Sequence, residues 1–381
     1  MKYDYIITGS GCAGLRLLYS ILKDPVLQTK KVLVLDKAEK KTNDRIWCYW
    51  EKGKGLFEPI VPHEWKELQF LTSDLTKRFK LEHYSYKMIK GIDFYTLVLN
   101  FSKAFENVRF KYENVKQIQI ENDIAFVETE VGRYAGEYVF NSTNLFNPEI
   151  NTQNSLLQHF EGWVIRTKKP SFNTEIGTLM DFRLRQEHGA TFMYVLPTTA
   201  REALVEYTLF SEKVLDKKHY KVALENYIKD HLKIEAYEII HKELRVIRMS
   251  LANFSRSSNS EKRSINIGTA GGFTKASSGY TFQFIQKNTK KIINNLRKGN
   301  PPNPTITFRD KMFQWYDRTL LEVLISGKMT GKEICSIMFK KISPEKILAF
   351  LGNESSFKDD IKIMNSLPKA PFLAAGLKQL K

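Results

Sequence analysis

The stretch Tyr3-Asp4-Tyr5-Ile6-Ile7-Thr8-Gly9-Ser10-Gly11-Cys12-Ala13-Gly14 constrains this chain more than any other. A short apolar strand runs directly into a G-x-G-x-x-G loop. Ala13 to Leu22 then reads as a helix with Leu15, Leu18 and Leu22 on one face, and Lys31 to Leu35 as a second strand ending in Asp36. In such a βαβ unit Gly9 permits the tight turn, Gly11 lets the backbone approach a pyrophosphate, and Gly14 lets helix and strand pack closely. The helix N-terminus attracts phosphate, and Asp36 can accept hydrogen bonds from a ribose. The pattern predicts an α/β domain of the Rossmann kind that holds a dinucleotide.

With 381 residues, 42% of them hydrophobic, the chain can build two or three domains of ordinary size. No apolar run is long enough to predict a membrane-spanning helix. The first strand starts at once, which leaves no room for a signal peptide. Cys12, Cys48 and Cys335 are scattered without a C-x-x-C pair, so the expectation is a reducing cytoplasm and no metal site. The net charge of +17 suits either attraction to anionic lipid or a basic, solubilising surface. No zinc-finger or RNA-binding aromatic motif accompanies it, which argues against nucleic acid.

Ile92 to Ala104 reads as a helix, Val108 to Tyr112 as a strand, and Val115–Ile120, Ala125–Glu130 and Arg133–Phe140 as a meander. Residues 156–255 are rich in strand signals, as in Trp163-Val164-Ile165, Ala190–Leu196 and Ala203–Phe210, and form the expected substrate domain. Helices are expected near Tyr220–His231 and Glu235–His241. A second strand-then-glycine turn, Ile265-Asn266-Ile267-Gly268-Thr269-Ala270-Gly271-Gly272, precedes a helical pattern from Ser278 to Leu296. The nucleotide domain is therefore expected to be discontinuous, 1–155 completed by 256–300. After the linker Gly299-Asn300-Pro301-Pro302-Asn303-Pro304, residues 301–381 form a helical region, with helices over Lys311–Ile325, Gly331–Lys340, Ser343–Leu351 and Ser356–Leu367.

Two separated glycine turns point to a flavin protein. FAD is long, and a second backbone element must approach its ribityl chain and ring. Gly268, Thr269, Gly271, Gly272 and Phe273 suit that place.

Several longer stretches carry a resemblance. Asn43-Asp44-Arg45-Ile46-Trp47-Cys48-Tyr49-Trp50-Glu51 resembles the R-x-W-C-x-W-E stretch of lycopene cyclases. Met180-Asp181-Phe182-Arg183 with Tyr194-Val195-Leu196-Pro197 is similar to the same family. Ala203-Leu204-Val205-Glu206-Tyr207-Thr208-Leu209 resembles its F-L-E-E-T motif, and Gly268 to Tyr280 its G-T-A-G-G turn. The order and spacing hold over about residues 1–330, and the helical tail is also similar. The resemblance implies a fold like the glutathione-reductase and aromatic-hydroxylase flavoproteins. It implies an FAD that works reduced, with NADPH as electron source. It also implies lycopene or another acyclic carotenoid as substrate, and β-carotene, formed through γ-carotene, as product. Membrane surface and other carotenoid enzymes become expected partners, and the location a peripheral one on the cytoplasmic side.

The chemistry of such a reaction fits the residue types. Ring closure needs a proton at C2, stabilisation of a cation at C1 and loss of a proton from C6. A hydrocarbon offers no hydrogen-bonding handle, so an acid in a dry, apolar pocket must act. Glu206 lies on an apolar strand, where burial raises its pKa; it is the expected catalytic residue, unless an arginine pairs with it. The family often has two adjacent carboxylates, but here the second position is Tyr207. Thr269 likewise stands where many flavoproteins carry an aspartate. Arg45 is expected beside the flavin or Glu206, or else in a surface ion pair. Trp47, Tyr49, Trp50, Tyr207 and Phe273 are candidates to line a polyene tunnel, with core packing as the other reading of the aromatics. Asp181 with Arg183 reads as a structural ion pair, and His159 as structural. Phe313, Tyr316, Leu320 and Val323, flanked by Lys311 and Arg318, form a helix face suited to a bilayer or to the protein body. A flavin monooxygenase or dehydrogenase acting on a lipid, and a non-catalytic carotenoid carrier, remain the alternatives.

Overall fold

The computed structural model describes residues 2–257 and 263–380. The chain opens with β1 (Lys2–Thr8), α1 (Cys12–Lys23) and β2 (Val32–Asp36). β3 (Ile46–Glu51), β4 (His63–Trp65), β5 (Glu67–Leu71), β6 (Thr76–Lys80) and β7 (Ser85–Lys90) follow, then α2 (Gly91–Ser102) and β8 (Val108–Tyr112). β9 (Val115–Glu121), β10 (Ile124–Thr129) and β11 (Arg133–Asn141) form the expected meander. β12 (Ser155–Arg166), β13 (Ile176–Asp181), β14 (Ala190–Pro197), β15 (Glu202–Ser211), α3 (Lys217–Asp230) and β16 (Glu238–Ser250) come next. The chain ends with β17 (Ser264–Asn266), α4 (Phe282–Arg297), α5 (Phe308–Ile325), α6 (Gly331–Lys341), α7 (Pro344–Leu351), α8 (Phe357–Ser366) and α9 (Lys369–Lys378).

Two large sheets organise these elements. The first has the order β8-β2-β1-β11-β10-β9, with β17 added in parallel to β11. Its strands β8, β2, β1 and β11 run parallel, as βαβ crossovers require. Leu15, Leu18 and Leu22 of α1 and Ile285, Ile292 and Leu296 of α4 share one buried cluster with this sheet. The second sheet has the order β16-β12-β15-β14-β13-β5-β6, and β3, β7 and β4 form a small third one. One face of the second sheet is covered by α3, which packs Tyr220, Leu224, Tyr227 and Ile228 against Trp163, Val205 and Leu209. The helical C-terminal region reaches the opposite face through Val323, Met338 and Phe339, with Phe339 stacked on Phe70 at 4.2 Å.

The mixed α/β fold with a Rossmann-like unit is as expected, and several details differ. Residues 1–155 do not all pair within the first sheet: β5 and β6 join the second, where β5 runs parallel to β13. The expected helix at Glu235–His241 is instead the start of β16. Thirteen residues of that strand follow β12 along its whole length, and sheet pairing overrides a short amphipathic pattern. α4 begins at Phe282 rather than Ser278, because Lys275 to Gly279 turn tightly, with Gly279 at φ +69°. Of the two readings of the Phe313 to Val323 helix face, bilayer or protein body, the structure takes the second: Phe313, Tyr316 and Val323 are buried and Leu320 packs on the core, so this face is turned inward. An additional helix, α9, packs on α5, where the Trp315 indole N–H donates to the Gly376 carbonyl at 3.0 Å.

Candidate active site

The glycine loop after β1 is built as its sequence requires. Gly9 has φ +98°, and a Cβ there would meet the Ser142 hydroxyl at 2.2 Å. A Cβ on Gly14 would lie 1.9 Å from the Gly9 carbonyl oxygen, so loop and helix can touch only without a side chain. A Cβ on Gly11 would meet nothing within 4 Å, because that side of the loop is open. Asp36 at the end of β2 accepts from the Ser10 N–H at 2.6 Å and from the Ser10 hydroxyl at 2.7 Å. These bonds and nearby Lys40 outweigh desolvation and hold its carboxyl below the usual range.

One cavity of about 1540 Å³ runs from this loop into the molecule. Its volume exceeds the roughly 300–1,000 Å³ of ordinary small-ligand pockets, so it can take a long ligand or two ligands end to end. Gly9, Gly11 and Asp36 line one end, and Gly268, Thr269, Gly271, Gly272 and Phe273 approach from the second glycine turn. Arg45, Trp47, Cys48, Tyr86, Tyr194, Leu204, Glu206, Glu243 and Tyr280 line the same space. An open loop beside a helix N-terminus, an acidic strand end and a second glycine turn together fit an extended dinucleotide.

Glu206 reaches this cavity because β15 alternates. Leu204 and Glu206 point to the cavity, whereas Val205, Tyr207 and Leu209 point to α3. Glu206 is half-buried and accepts from the Thr208 hydroxyl at 3.1 Å. No arginine pairs with it among the described residues. Desolvation first, and the negative charge of Glu243 second, push its pKa up to about 8. Glu243 is 6% exposed, accepts from the Ile46 N–H at 2.9 Å, and is itself raised to about 7 by desolvation. Arg45 is committed to Asp44, with contacts of 3.2 and 2.9 Å, rather than to Glu206.

Some expected site residues lie elsewhere. Tyr207 is 5% exposed on the α3 face, with its hydroxyl 3.3 Å from the His219 ring, because the pleat turns it away from Glu206. Tyr49 and Trp50 are core residues. Tyr49 packs on Phe282 at 4.5 Å, and the Trp50 indole donates to the Leu348 carbonyl. Trp47 and Phe273 do reach the cavity. Asp181 is buried under the Arg183 guanidinium and the Tyr227 hydroxyl, and His159 is buried between Ser211 and Tyr220 with its pKa pushed down to about 4 by desolvation. Both read as structural in the sequence, and neither lines the cavity. Glu243 was not foreseen; only the pairing of β16 with β12, which sets it opposite Gly162, places it.

A family model described as lycopene cyclase protein matches residues 4–376. The chain belongs to the lycopene cyclase family. The lycopene cyclase stretch Asn43 to Glu51 thus supplies both Trp47 at the cavity and Trp50 in the core, and the Ala203–Leu209 motif supplies Glu206. No curated protein gives a significant match. Among solved structures, a geranylgeranyl bacteriochlorophyll reductase-like protein from Thermoplasma acidophilum is similar, with a TM-score of 0.67, 12% identity, and coverage of 100% of this chain and 99% of that one. A flavoprotein/dehydrogenase from Cytophaga hutchinsonii follows the same path with a TM-score of 0.64, 12% identity, and coverage of 100% and 99%. A flavin-dependent brominase matches with a TM-score of 0.60, 12% identity, and coverage of 96% and 98%. At such identities these likenesses establish the fold that this lycopene cyclase family member shares.

Proposed function

We propose that this protein is a lycopene β-cyclase that works with reduced FAD and converts lycopene through γ-carotene to β-carotene. Glu206 carries the reading. It is a carboxylic acid with a pKa near 8, in a cavity lined by Trp47, Tyr86, Tyr194, Leu204 and Phe273, that begins at a nucleotide-type glycine loop. At neutral pH such a group holds its proton, and no side chain of opposite charge among the described residues pairs with it.

In this reading Glu206 delivers its proton to C2 of the terminal double bond. The C5–C6 alkene attacks the cation at C1, and loss of the C6 proton completes the β ring. The aromatic lining excludes water and offers ring faces to a polyene that cannot hydrogen-bond. Gly9, Gly11, Gly14 and Asp36 would hold the pyrophosphate and ribose of FAD, and Arg45, Gly268, Thr269, Gly271 and Gly272 its inner half. When bound and reduced, with NADPH as electron source, the flavin supplies negative charge beside the cation. The net reaction is redox-neutral. By this reading residues 1–155 and 256–300 hold the cofactor, apart from the 67–80 hairpin, which belongs with the substrate-binding sheet.

Lycopene partitions into bilayers, and no helix among the described residues is long and apolar enough to cross one. We place the protein peripherally on the cytoplasmic membrane surface. Leu373, Leu377 and Leu380, on and just beyond α9, are 63%, 66% and 69% exposed, and the +17 net charge favours anionic lipid.

The test is expression in a bacterium that accumulates lycopene. The pigment should become β-carotene with this chain and remain lycopene with Glu206→Gln. Unchanged lycopene with the unaltered, folded, flavin-loaded chain overturns the reading.

A further inference from the structure

Three neighbouring strands place a second carboxyl group opposite Glu206. Gly162 of β12 is paired with Glu206 of β15 on one side and with Glu243 of β16 on the other. The Cα atoms of residues two strands apart lie roughly 10 Å from each other, which is within joint reach of two glutamate side chains if nothing stands between. The residue between them is glycine, so position 162 puts no side chain there, although Leu204 Cδ1 lies 3.2 Å from where its Cβ would be. A Cβ at position 162 would lie 3.3 Å from Glu206 Oε2, so the Glu206 carboxyl leans over β12 in the space a side chain would take. Both glutamates line the cavity.

Glu243 is half satisfied. Oε2 accepts from the Ile46 N–H, whereas Oε1 is buried without a hydrogen-bond partner. A buried carboxylate oxygen left unpaired is costly and calls for a reason. We propose that Glu243 is a positioning residue for Glu206: the two carboxyl groups, facing each other across Gly162, hold one proton between them at neutral pH and keep Glu206 in its acid form. The inference rests on the cyclase reading for what the proton then does.

The surroundings divide the roles. Glu206 is faced by Cys48, Tyr86, Tyr194 and Tyr280, which are neutral near pH 7, by the Thr208 hydroxyl, and by Glu243. Glu243 also feels the cations Arg245 and Arg45 and the anion Asp44. The cations lie on the Glu243 side, so Glu243 ionises first and its charge holds the remaining proton on Glu206. The proton balance closes over each ring: one proton leaves Glu206 for C2, one returns from C6, and the pair is ready for the second end of the same substrate.

The test compares pH profiles of kcat/KM for lycopene in vesicles, using flavin-loaded wild type, Glu243→Gln and Glu243→Asp. Gln keeps the shape and removes the charge. Rates should agree near pH 6, where Glu243 is protonated. Above pH 7 the alkaline limb of Glu243→Gln should lie about one unit lower, a roughly tenfold loss on that limb, and Glu243→Asp should restore the wild-type limb. Superimposable profiles for wild type and Glu243→Gln overturn the proposal, as does a loss of equal size at every pH. Infrared titration of the protonated-carboxyl band, without lycopene, gives a second readout that needs no turnover. The band assigned by Glu206→Gln should disappear near pH 8 in the wild type and at lower pH in Glu243→Gln or, if that variant does not fold, at lower pH in the smaller neutral replacement Glu243→Ser. A band insensitive to position 243 overturns the pairing. Absence of cyclisation by the wild type, with the band shift intact, overturns the cyclase reading alone.

Discussion

Asp36 and Ser10 are tied together twice, through the Ser10 N–H and the Ser10 hydroxyl, both donating to Asp36 Oδ2. The tie joins the end of β2 to the glycine loop and holds the loop open before any ligand arrives. Among the described residues Asp36 Oδ1 has only the 3.3 Å contact from the Ala38 N–H, which leaves acceptor capacity for a ribose hydroxyl.

Flavin retention should therefore depend on both ends of this unit. Gly11→Val fills the open side of the loop and should purify without flavin. Asp36→Asn should retain flavin more weakly than Ser10→Ala, since it loses the charge as well as the tie. Absorbance of the purified variants checks both, and a fully flavin-loaded, active Gly11→Val would remove the loop from the cofactor site.

The chemistry should consume no reductant. Anaerobic enzyme carrying dithionite-reduced FAD should close rings without NADPH, over many turnovers. Consumption of one NADPH or one oxygen per ring would point to a monooxygenase or dehydrogenase instead.

Replacing Glu206 by Gln should lower the cyclisation rate by about a hundredfold to ten-thousandfold, the usual contribution of general acid catalysis. The variant should still fold, hold flavin and extract lycopene from vesicles. Near wild-type turnover would assign the proton to another donor.

The same residue leaves a mark on stability. Its pKa rises from an ordinary 4.5 to about 8 on folding, so the folded state binds more protons than the unfolded state between those values. Stability from this group is greatest below pH 4.5 and is lost as pH rises through about 8. Glu206→Gln should therefore melt higher than the wild type at pH 9, and the gap should shrink toward pH 5. Calorimetry at the two pH values checks the sign; a gap that widens on acidification would contradict the buried acid.

Membrane attachment should reside in α9. Replacing Leu373 and Leu377 together by Asp removes apolar area worth about 1.5–3 kcal/mol per side chain when buried, so binding to anionic vesicles should weaken about a hundredfold or more. Activity on detergent-dispersed lycopene should stay unchanged. Undiminished vesicle binding would move the contact to another face.

The first βαβ unit was legible because its main constraints are local: Gly9 takes a positive φ at the turn, and Gly14 must let the helix touch the Gly9 carbonyl five residues earlier. Glu206 was legible because a lone acid among Leu204, Val205 and Leu209 is conspicuous. Glu243 was not, because it sits in a stretch with Lys242 and Arg245 close by in sequence and its partner lies across another strand. Tyr207 was misplaced for a related reason: adjacency in sequence means opposite faces in a strand. Trp50 and Tyr49 carry the same residue types as a polyene tunnel, and only the packing of α4 and α7 against β3 distinguishes core from lining.

The crossing of β5 and β6 into the second sheet sets how the gene can be divided. A fragment starting near residue 156 would lack the strand that covers the outer edge of β13, and β13 is buried along its whole length. That fragment would expose unpaired N–H and C=O groups beside apolar side chains, the template on which chains stack into aggregates. Split reporters, swapped halves and truncations of this protein need the 67–80 hairpin carried along with the C-terminal piece.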